Sequence, residues 1–367
     1  MRRVHADERR ARLARRHRLA SEHQAGDVVT ATRSIVCLHA TDPASVYLSA
    51  RARVSALTRG DLDRALYADR TLIKHLSMRR TLFVFSRELL AAATAGPGAR
   101  VADSERRRTI RQIEASAVAS DGLRWLGDAE AAVLAALESH PELSSSQLRD
   151  LAPIVDVKMR VGGAGKWGTD APVGPRLLTI LSAAGLAVRG NNRGGWNVSR
   201  PMWTSMARWL GSPLDHMDTT AGIAQMTQAW LRAFGPGTAN DLRWWLGVRT
   251  TDVKRALTDV AAVEVDLDGS VGYLLPDDLD PVAEVEPWVA PCRPWIRPRW
   301  AGLTETGISA RIGRCCSTRT ATPARPRGGT GAWSVAGTRS HPAGWWSTLS
   351  RESPNWPGHG STARRRS

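Results

Sequence analysis

The sequence predicts a mainly α-helical fold with β wings, of the α+β class, arranged as three tandem winged-helix units. Three observations predict it. One pattern, three helices followed by two strands around a polar turn, occurs three times before residue 290. Capping residues and Pro or Gly separate the short helices. The chain has 367 residues, of which 42% are hydrophobic, enough for two or three domains with sizeable cores.

The third unit shows the pattern most clearly. Apolar residues recur at helical spacing along residues 219–235. Thr238, with Asp241 three residues later, is typical of a helix start. Residues 250–260, TTDVKRALTDV, then form the candidate recognition helix, and Asp268-Gly269 predicts a hairpin turn. The order matches a helix-turn-helix with a wing, in which the third helix enters a DNA groove.

The second unit repeats this order with a longer connection. Its opening helix is predicted at Asp128–Glu142, its second helix is capped near Ser144–Ser146, and Pro175 lies in the first turn of its third helix. The segment KMRVGGAGKWGTDAPVG between the helices is rich in glycine and predicts a mobile basic loop. It is not a phosphate-binding P-loop, because its Gly-Lys pair is followed by Trp167 and no strand precedes it.

The first unit is the most diverged. Its helices are predicted at Asp27–Thr41, Pro43–Arg53 and Arg59–Tyr67. Its wing is Thr71–Ser86, with Arg79-Arg80 at the turn. The predicted boundaries are 1–95 for the first winged helix with an N-terminal basic helix, 96–122 for a helical linker, 123–211 and 212–290 for the second and third winged helices, and 291–367 for an irregular tail.

Charge is uneven along the chain. The net charge is +16, but thirteen arginines and two acidic residues give residues 291–367 a charge of +11, which leaves +5 for the rest. The prediction of double-stranded DNA binding therefore rests on basic residues in particular segments and not on the net charge. Taken singly, each is better explained as a solvated surface charge. The candidate contacts, mostly to phosphates, are Lys74, Arg79, Arg80, Lys158, Arg160, Lys166, Arg189, Arg193, Arg249, Lys254 and Arg255.

The tail has an unusual composition. It contains six Trp but no Phe or Tyr, and it shows neither helical nor strand periodicity. One interpretation is a disordered basic tail. The other is a GC-rich gene read one nucleotide out of frame from near Ala290–Trp295, because shifting CSTRTATPA back yields Leu-Phe-Asp-Ala-Asn-Gly-Asn-Ala-Gly. In that case the native C-terminal domain is missing from this product.

His39, Thr41 and Asp42 form the candidate reaction centre. Pro43 disfavours helical geometry at Asp42, so the first helix is expected to end near Thr41 and to unwind enough to bring His39 and Thr41 together. A purely structural interpretation competes with this one. Asp42-Pro43 is a common start of a helix, and His39 could bind carbonyls at a helix end.

The stretches IVCLHATDPASVYLSARARV and HLSMRRTLFVF resemble winged-helix DNA glycosylases of the AlkZ/YcaQ family, and the resemblance covers Arg9 to Pro287. The back-shifted tail resembles the β-rich C-terminal domain of that family. The resemblance implies tandem winged helices with a C-terminal β-barrel, here lost, and a concave basic surface for duplex DNA. It implies hydrolysis of the N-glycosidic bond of alkylated or crosslinked bases. His39 and Thr41 occupy the positions of the family's water-positioning Gln-x-Gln or Gln-x-Asp pair. Neither residue matches that pattern, which is a departure from the family.

The departure leaves two functions open: a DNA glycosylase, or a non-catalytic winged-helix protein that binds DNA or a regulator. No apolar run approaches the ~20 residues of a membrane span, and the charged N-terminus lacks a signal peptide, so a cytoplasmic, nucleoid-associated protein is expected. The four cysteines show no ligand spacing. No metal, cofactor or membrane partner is predicted, and no pattern indicates an oligomeric state.

Overall fold

The computed structural model describes residues 1–161, 169–283 and 285, which form a mixed helix-and-strand fold. The tail 291–367, the expected loss of the barrel, the break predicted near Ala290–Trp295, and Lys166 lie outside the described residues.

The N-terminal segment packs on the third unit of the sequence pattern. Strand β1 (Arg2–Arg3) pairs in parallel with the strand at residues 263–267, and helix α1 (Ala6–Arg16) follows it. Arg12 is buried and donates to an Asp278 carboxylate oxygen at 2.8 Å. The grouping of this basic helix with the first unit is thus corrected: pairing and a buried ion pair attach it to the third.

The first region contains a strand where a helix was expected. Its elements are α2 (Val28–Arg33), β2 (Cys37–His39), α3 (Pro43–Arg51), α4 (Arg59–Asp63), β3 (Leu72–Ser77) and β4 (Thr81–Ser86). The predicted helix Asp27–Thr41 is therefore wrong after Arg33. Val36 has a φ of 69°, which ends the helical path, and β2 then pairs with the free edge of β4. A continuous apolar run such as SIVCL suits a buried strand as well as a buried helix.

The sheet of order β2-β4-β3 is covered on both faces. Leu38 and Val84 point toward the core around α3 and α4. Cys37 and Phe85 point to the other core, where Trp230 packs. The predicted wing Thr71–Ser86 is confirmed as a hairpin, but it lies in the interior of the molecule.

Helices follow the first region. They are α5 (Leu90–Ala93), a short π-helical turn at Thr94–Gly98, α6 (Ala99–Ala115), α7 (Gly122–Ser139) and α8 (Ser145–Leu151). Helix α6 lies within the predicted linker 96–122, and α7 and α8 correspond to the first two helices predicted for the second unit. Helix α7 begins six residues before the predicted Asp128, because the Asp121 side chain accepts from the backbone N–H of Arg124 at 2.9 Å. The predicted cap of α8 is confirmed at Ser144, which forms a reciprocal capping box with Gln147.

The second region contains two hairpins. Its elements are β5 (Lys158–Val161), β6 (Thr169–Pro172), α9 (Gly174–Ala183), β7 (Ala187–Asn192), β8 (Pro201–Ser205) and α10 (Met206–Leu210). The flanks of the expected mobile loop are the paired strands β5 and β6, a correction to the loop interpretation. Pro175 lies in the first turn of α9, as predicted.

The third region follows its predicted elements closely. They are α11 (Thr219–Phe234), α12 (Ala239–Leu246), α13 (Thr250–Asp259), β9 (Val263–Leu267) and β10 (Ser270–Leu274). Thr238 and Asp241 form the expected capping box at α12. Asp268 and Gly269 form the hairpin turn with φ values of 53° and 94°, the left-handed conformations that such two-residue turns require.

Helix α11 joins the third region to the centre of the molecule. Gly222 lies so close to the π-helical turn that an added Cβ would stand 2.8 Å from the backbone nitrogen of Gly96. Trp230, further along α11, shares one apolar core with Phe85 of β4. Among the described residues no helix is both apolar and long enough to cross a membrane.

Candidate active site and nucleic-acid interface

His39 is the last residue of β2, directly opposite Phe83 of β4. The two rings pack edge to face with their centroids 5.9 Å apart. The imidazole is half-buried. The sheet therefore fixes one side of the ring and leaves the other partly accessible.

Thr41 follows His39 just beyond the end of β2. The Ala40 N–H donates to the Leu82 carbonyl at 2.9 Å, which extends the pairing one residue past β2. Thr41 itself is exposed and lies in the bend that leads into α3. The predicted helix end is thus replaced by the end of a strand and a bend, with His39 and Thr41 on either side of Ala40.

Asp42 occupies the N-cap position of α3, with Pro43 in the first turn. Its side chain accepts no backbone N–H there; instead its carboxylate accepts from the Ser45 hydroxyl at 2.8 Å. Asp42 therefore lies at the start of the helix, as the structural interpretation predicts. Its side chain, however, does not cap the helix.

The surroundings of His39 favour the neutral imidazole. Burial lowers the pKa of His39, the nearby Asp42 carboxylate raises it, and the Arg79 guanidinium lowers it further, with a lowered pKa as the result. At pH 7 the ring therefore has one N–H donor and one nitrogen acceptor. Such a ring can bind a water molecule in a fixed orientation.

The wing tip of the first region contacts the third region beside His39. Arg79 and Arg80 take positive φ values of 54° and 58° at the β3–β4 turn. The Arg79 guanidinium lies 4.1 Å from the ring centroid of Trp244 on α12, a cation–π contact. Arg80 is exposed and pairs with Glu105 at 3.5 Å. Trp244 carried no functional signal in the sequence, because its proximity to Arg79 depends on packing between regions.

Most of the predicted DNA contacts are at the surface. Arg160 pairs with Asp170 at 3.6 Å and Arg255 with Asp259 at 3.8 Å. These are exposed pairs that water and salt screen strongly. The exposed members of the predicted set are Arg80, Lys158, Arg160, Arg193, Arg249, Lys254 and Arg255. They lie on all three regions and are not gathered into one cluster with His39.

Lys74 and Arg189 depart from the simple picture of exposed wing residues. The Lys74 ammonium donates to the Tyr67 hydroxyl at 2.7 Å, and burial lowers the pKa of Lys74 to about 8. The Arg189 guanidinium lies 5.3 Å from the ring centroid of Trp203. Both side chains are half-buried because they lie where the two hairpins meet. The sequence marked them as basic without indicating their aromatic partners.

Among the described residues, no group of three or more His, Cys, Asp or Glu side chains is placed to hold a metal ion.

A model of the AlkZ-like DNA glycosylases matches residues 32–293, and the match ends within the segment where the reading frame was predicted to break. Among solved structures, Streptomyces sahachiroi DNA glycosylase AlkZ has the same fold, with a TM-score of 0.59 and 19% sequence identity, over 75% of this chain and 71% of that chain. A comparison with curated proteins finds no match. The family model covers well over half of the sequence, so this chain belongs to the AlkZ-like DNA glycosylase family.

Proposed function

We propose that the protein binds duplex DNA and hydrolyses the N-glycosidic bond of an alkylated or crosslinked base, with His39 positioning the attacking water. The observation that carries the proposal is the half-buried imidazole of His39, which the end of β2 holds against Phe83. It lies where the resembled family has its first water-positioning glutamine, and a neutral imidazole likewise donates and accepts.

In the proposed reaction the bond between the sugar carbon and the base nitrogen breaks, and the water oxygen bonds to that carbon. The base nitrogen keeps the electron pair of the broken bond, so a base that alkylation has made cationic leaves as a neutral molecule. His39 accepts the water proton as general base. The Asp42 carboxylate, which acts to raise the pKa of His39, stabilises the imidazolium formed. Thr41, two residues from His39, hydrogen-bonds the water through its exposed hydroxyl.

DNA binding is proposed through three winged-helix units. Each region has a helical part followed by a hairpin, and α9 and α13 are the candidate recognition helices of the second and third units. The exposed cations near α13 are Arg249, Lys254 and Arg255. They would contact phosphates and make binding steeply dependent on salt. A cytoplasmic, nucleoid-associated protein fits this partner.

A second candidate function is a winged-helix module that holds DNA without breaking a bond. It is favoured by one observation: His39 and Thr41 stand where the family pattern has a Gln-x-Gln or Gln-x-Asp pair. The single hydroxyl of Thr41 can hydrogen-bond a water molecule, but it lacks the separate donor and acceptor atoms of a glutamine amide and the negative charge of an aspartate.

The deciding experiment incubates the purified protein with methylated and with interstrand-crosslinked duplex DNA and measures base release and binding in parallel. Release above the spontaneous rate supports the glycosylase. Salt-sensitive binding without release supports the second candidate. Absence of binding at or below about 0.1 M salt contradicts both, because several phosphate contacts should give measurable affinity there.

A further inference from the structure

A cleft of about 360 Å³ lies between the two interior hairpins and α9, on the face of the three-stranded sheet opposite His39. Leu76 and Leu82 of the first hairpin form one wall. Leu178 and Thr179 of α9 form another, and Arg189 stands on the third. The volume falls in the usual range for pockets that bind small molecules.

Arg189 supplies hydrogen-bond donors to this cleft. Its guanidinium is half-buried and rests on Trp203, which also lines the cleft. Within the described ranges no protein oxygen accepts a hydrogen bond from it. A guanidinium has five donors in a rigid fork that matches the oxygens of a phosphate. Its donors are thus oriented and available for an anion.

A second cation reinforces the charge beside the cleft. The Lys74 ammonium is close enough for the charge of Arg189 to lower its pKa further. The acidic group that acts on Lys74 is Asp63, and its carboxylate already accepts from the Tyr47 hydroxyl at 2.5 Å. Partly buried charges are normally matched by opposite charges. The region thus has two cations but only one carboxylate, and that carboxylate already accepts a hydrogen bond. It is therefore suited to bind an anion.

The remaining lining suits the rest of a nucleotide. The leucine walls are apolar and can contact a flat base or a sugar. Thr179 and Ser182 line the cleft with hydroxyl oxygens. Each hydroxyl donates to a backbone carbonyl, Pro175 at 2.7 Å and Ala187 at 3.3 Å, which leaves its oxygen as an acceptor. The cleft therefore combines a cationic side chain, hydrogen-bond acceptors and apolar walls.

We propose that this cleft binds one nucleotide unit, with its phosphate on Arg189 and its base or sugar against the leucine walls. The phosphate can come from a free nucleotide or from a single DNA strand whose end enters the cleft. The proposal does not depend on base excision, since binding is measured without any bond being broken.

The test titrates the full chain with thymidine 5′-monophosphate by calorimetry. We expect saturable binding, at least tenfold weaker binding of thymidine, which lacks the phosphate, and at least a tenfold loss in Arg189→Gln. Arg124→Gln removes an equal charge from an exposed position in the first turn of α7, away from the cleft lining, and should change affinity less than twofold. Circular dichroism confirms that both variants are folded.

A second variant keeps all charges and fills the cleft. Thr179→Phe on α9 should also weaken nucleotide binding at least tenfold while leaving the cations in place. A 5′-phosphorylated single strand that competes with the nucleotide identifies a DNA end as the source, and lack of competition identifies a free nucleotide. The proposal is overturned if no saturable binding occurs, or if Arg124→Gln weakens binding as much as Arg189→Gln does. It is also overturned if thymidine binds as tightly as the monophosphate.

Discussion

The first and third regions use similar elements in opposite ways. In the third region the hairpin β9–β10 and helix α13 are at the surface, and Lys254 and Arg255 are exposed. In the first region the hairpin β3–β4 is the centre of a sheet covered on both faces. Its basic residues Lys74 and Arg79 contact Tyr67 and Trp244. One region exposes its charges to solvent, whereas the other uses them in contacts with aromatic side chains of neighbouring elements.

The largest expected effect separates these two uses of charge. The triple variant Arg249→Gln, Lys254→Gln, Arg255→Gln should weaken duplex binding about tenfold to a hundredfold at low salt. It should also reduce the salt slope by about 3, because each phosphate contact contributes about 1. Fluorescence anisotropy at several salt concentrations measures both quantities. Lys74→Gln, the inward control, should leave the slope unchanged; a reduction of about 1 would show that Lys74 also contacts phosphate.

The second prediction concerns two buried histidines. His17 packs against Phe234 in the third region, and His75 lies in the first; burial lowers the pKa of each to about 3. Below pH 6.5 the unfolded chain binds protons that the folded chain does not, so stability falls as pH falls. The expected loss between pH 6.5 and 5.5 is about 1 kcal/mol for each histidine.

Urea unfolding at those two pH values measures this loss. His75→Gln should reduce it by about 1 kcal/mol, and the exposed control His216→Gln should not change it. A pH dependence that is identical in wild type and His75→Gln would mean that the His75 imidazole does not titrate as its burial requires.

The smallest expected effect compares two helix starts. Thr238 accepts the backbone N–H of Asp241 at the start of α12, whereas Asp42 accepts no backbone N–H at the start of α3. Thr238→Ala should therefore lower the free energy of unfolding by about 1 kcal/mol, and Asp42→Ala by clearly less. Chemical denaturation of the two variants makes the comparison. A larger loss in Asp42→Ala would assign Asp42 a structural role.

The third region could be predicted from sequence because its signals are local. Helical spacing along α11, the cap at Thr238 and the turn at Asp268-Gly269 each specify structure within a few residues. The strand β2 could not be predicted in this way. Its apolar run fits a buried helix or a buried strand, and pairing with β4, more than forty residues away, decides between them.

The candidate site also combines local and long-range information. His39 and Thr41 were aligned with the family's paired positions through a resemblance, whereas the position of His39 beside Phe83 depends on the pairing of β2 with β4. The inward positions of Lys74 and Arg189 depend on Tyr67 and Trp203. Those partners meet the two cations only after the hairpins have formed and packed together. Residue type therefore indicated the chemistry, and tertiary contacts decided where each group points.

The most direct test of the account is the single-turnover rate of base release from alkylated duplex DNA by wild type, His39→Ala and His39→Gln, each at saturating protein. The account predicts a loss of about a hundredfold or more in His39→Ala, with duplex affinity unchanged. His39→Gln keeps a side chain that both donates and accepts hydrogen bonds but cannot take up a proton, so its rate should lie between those of His39→Ala and wild type. Equal rates for His39→Ala and wild type would contradict the assignment of His39 as the residue that positions water.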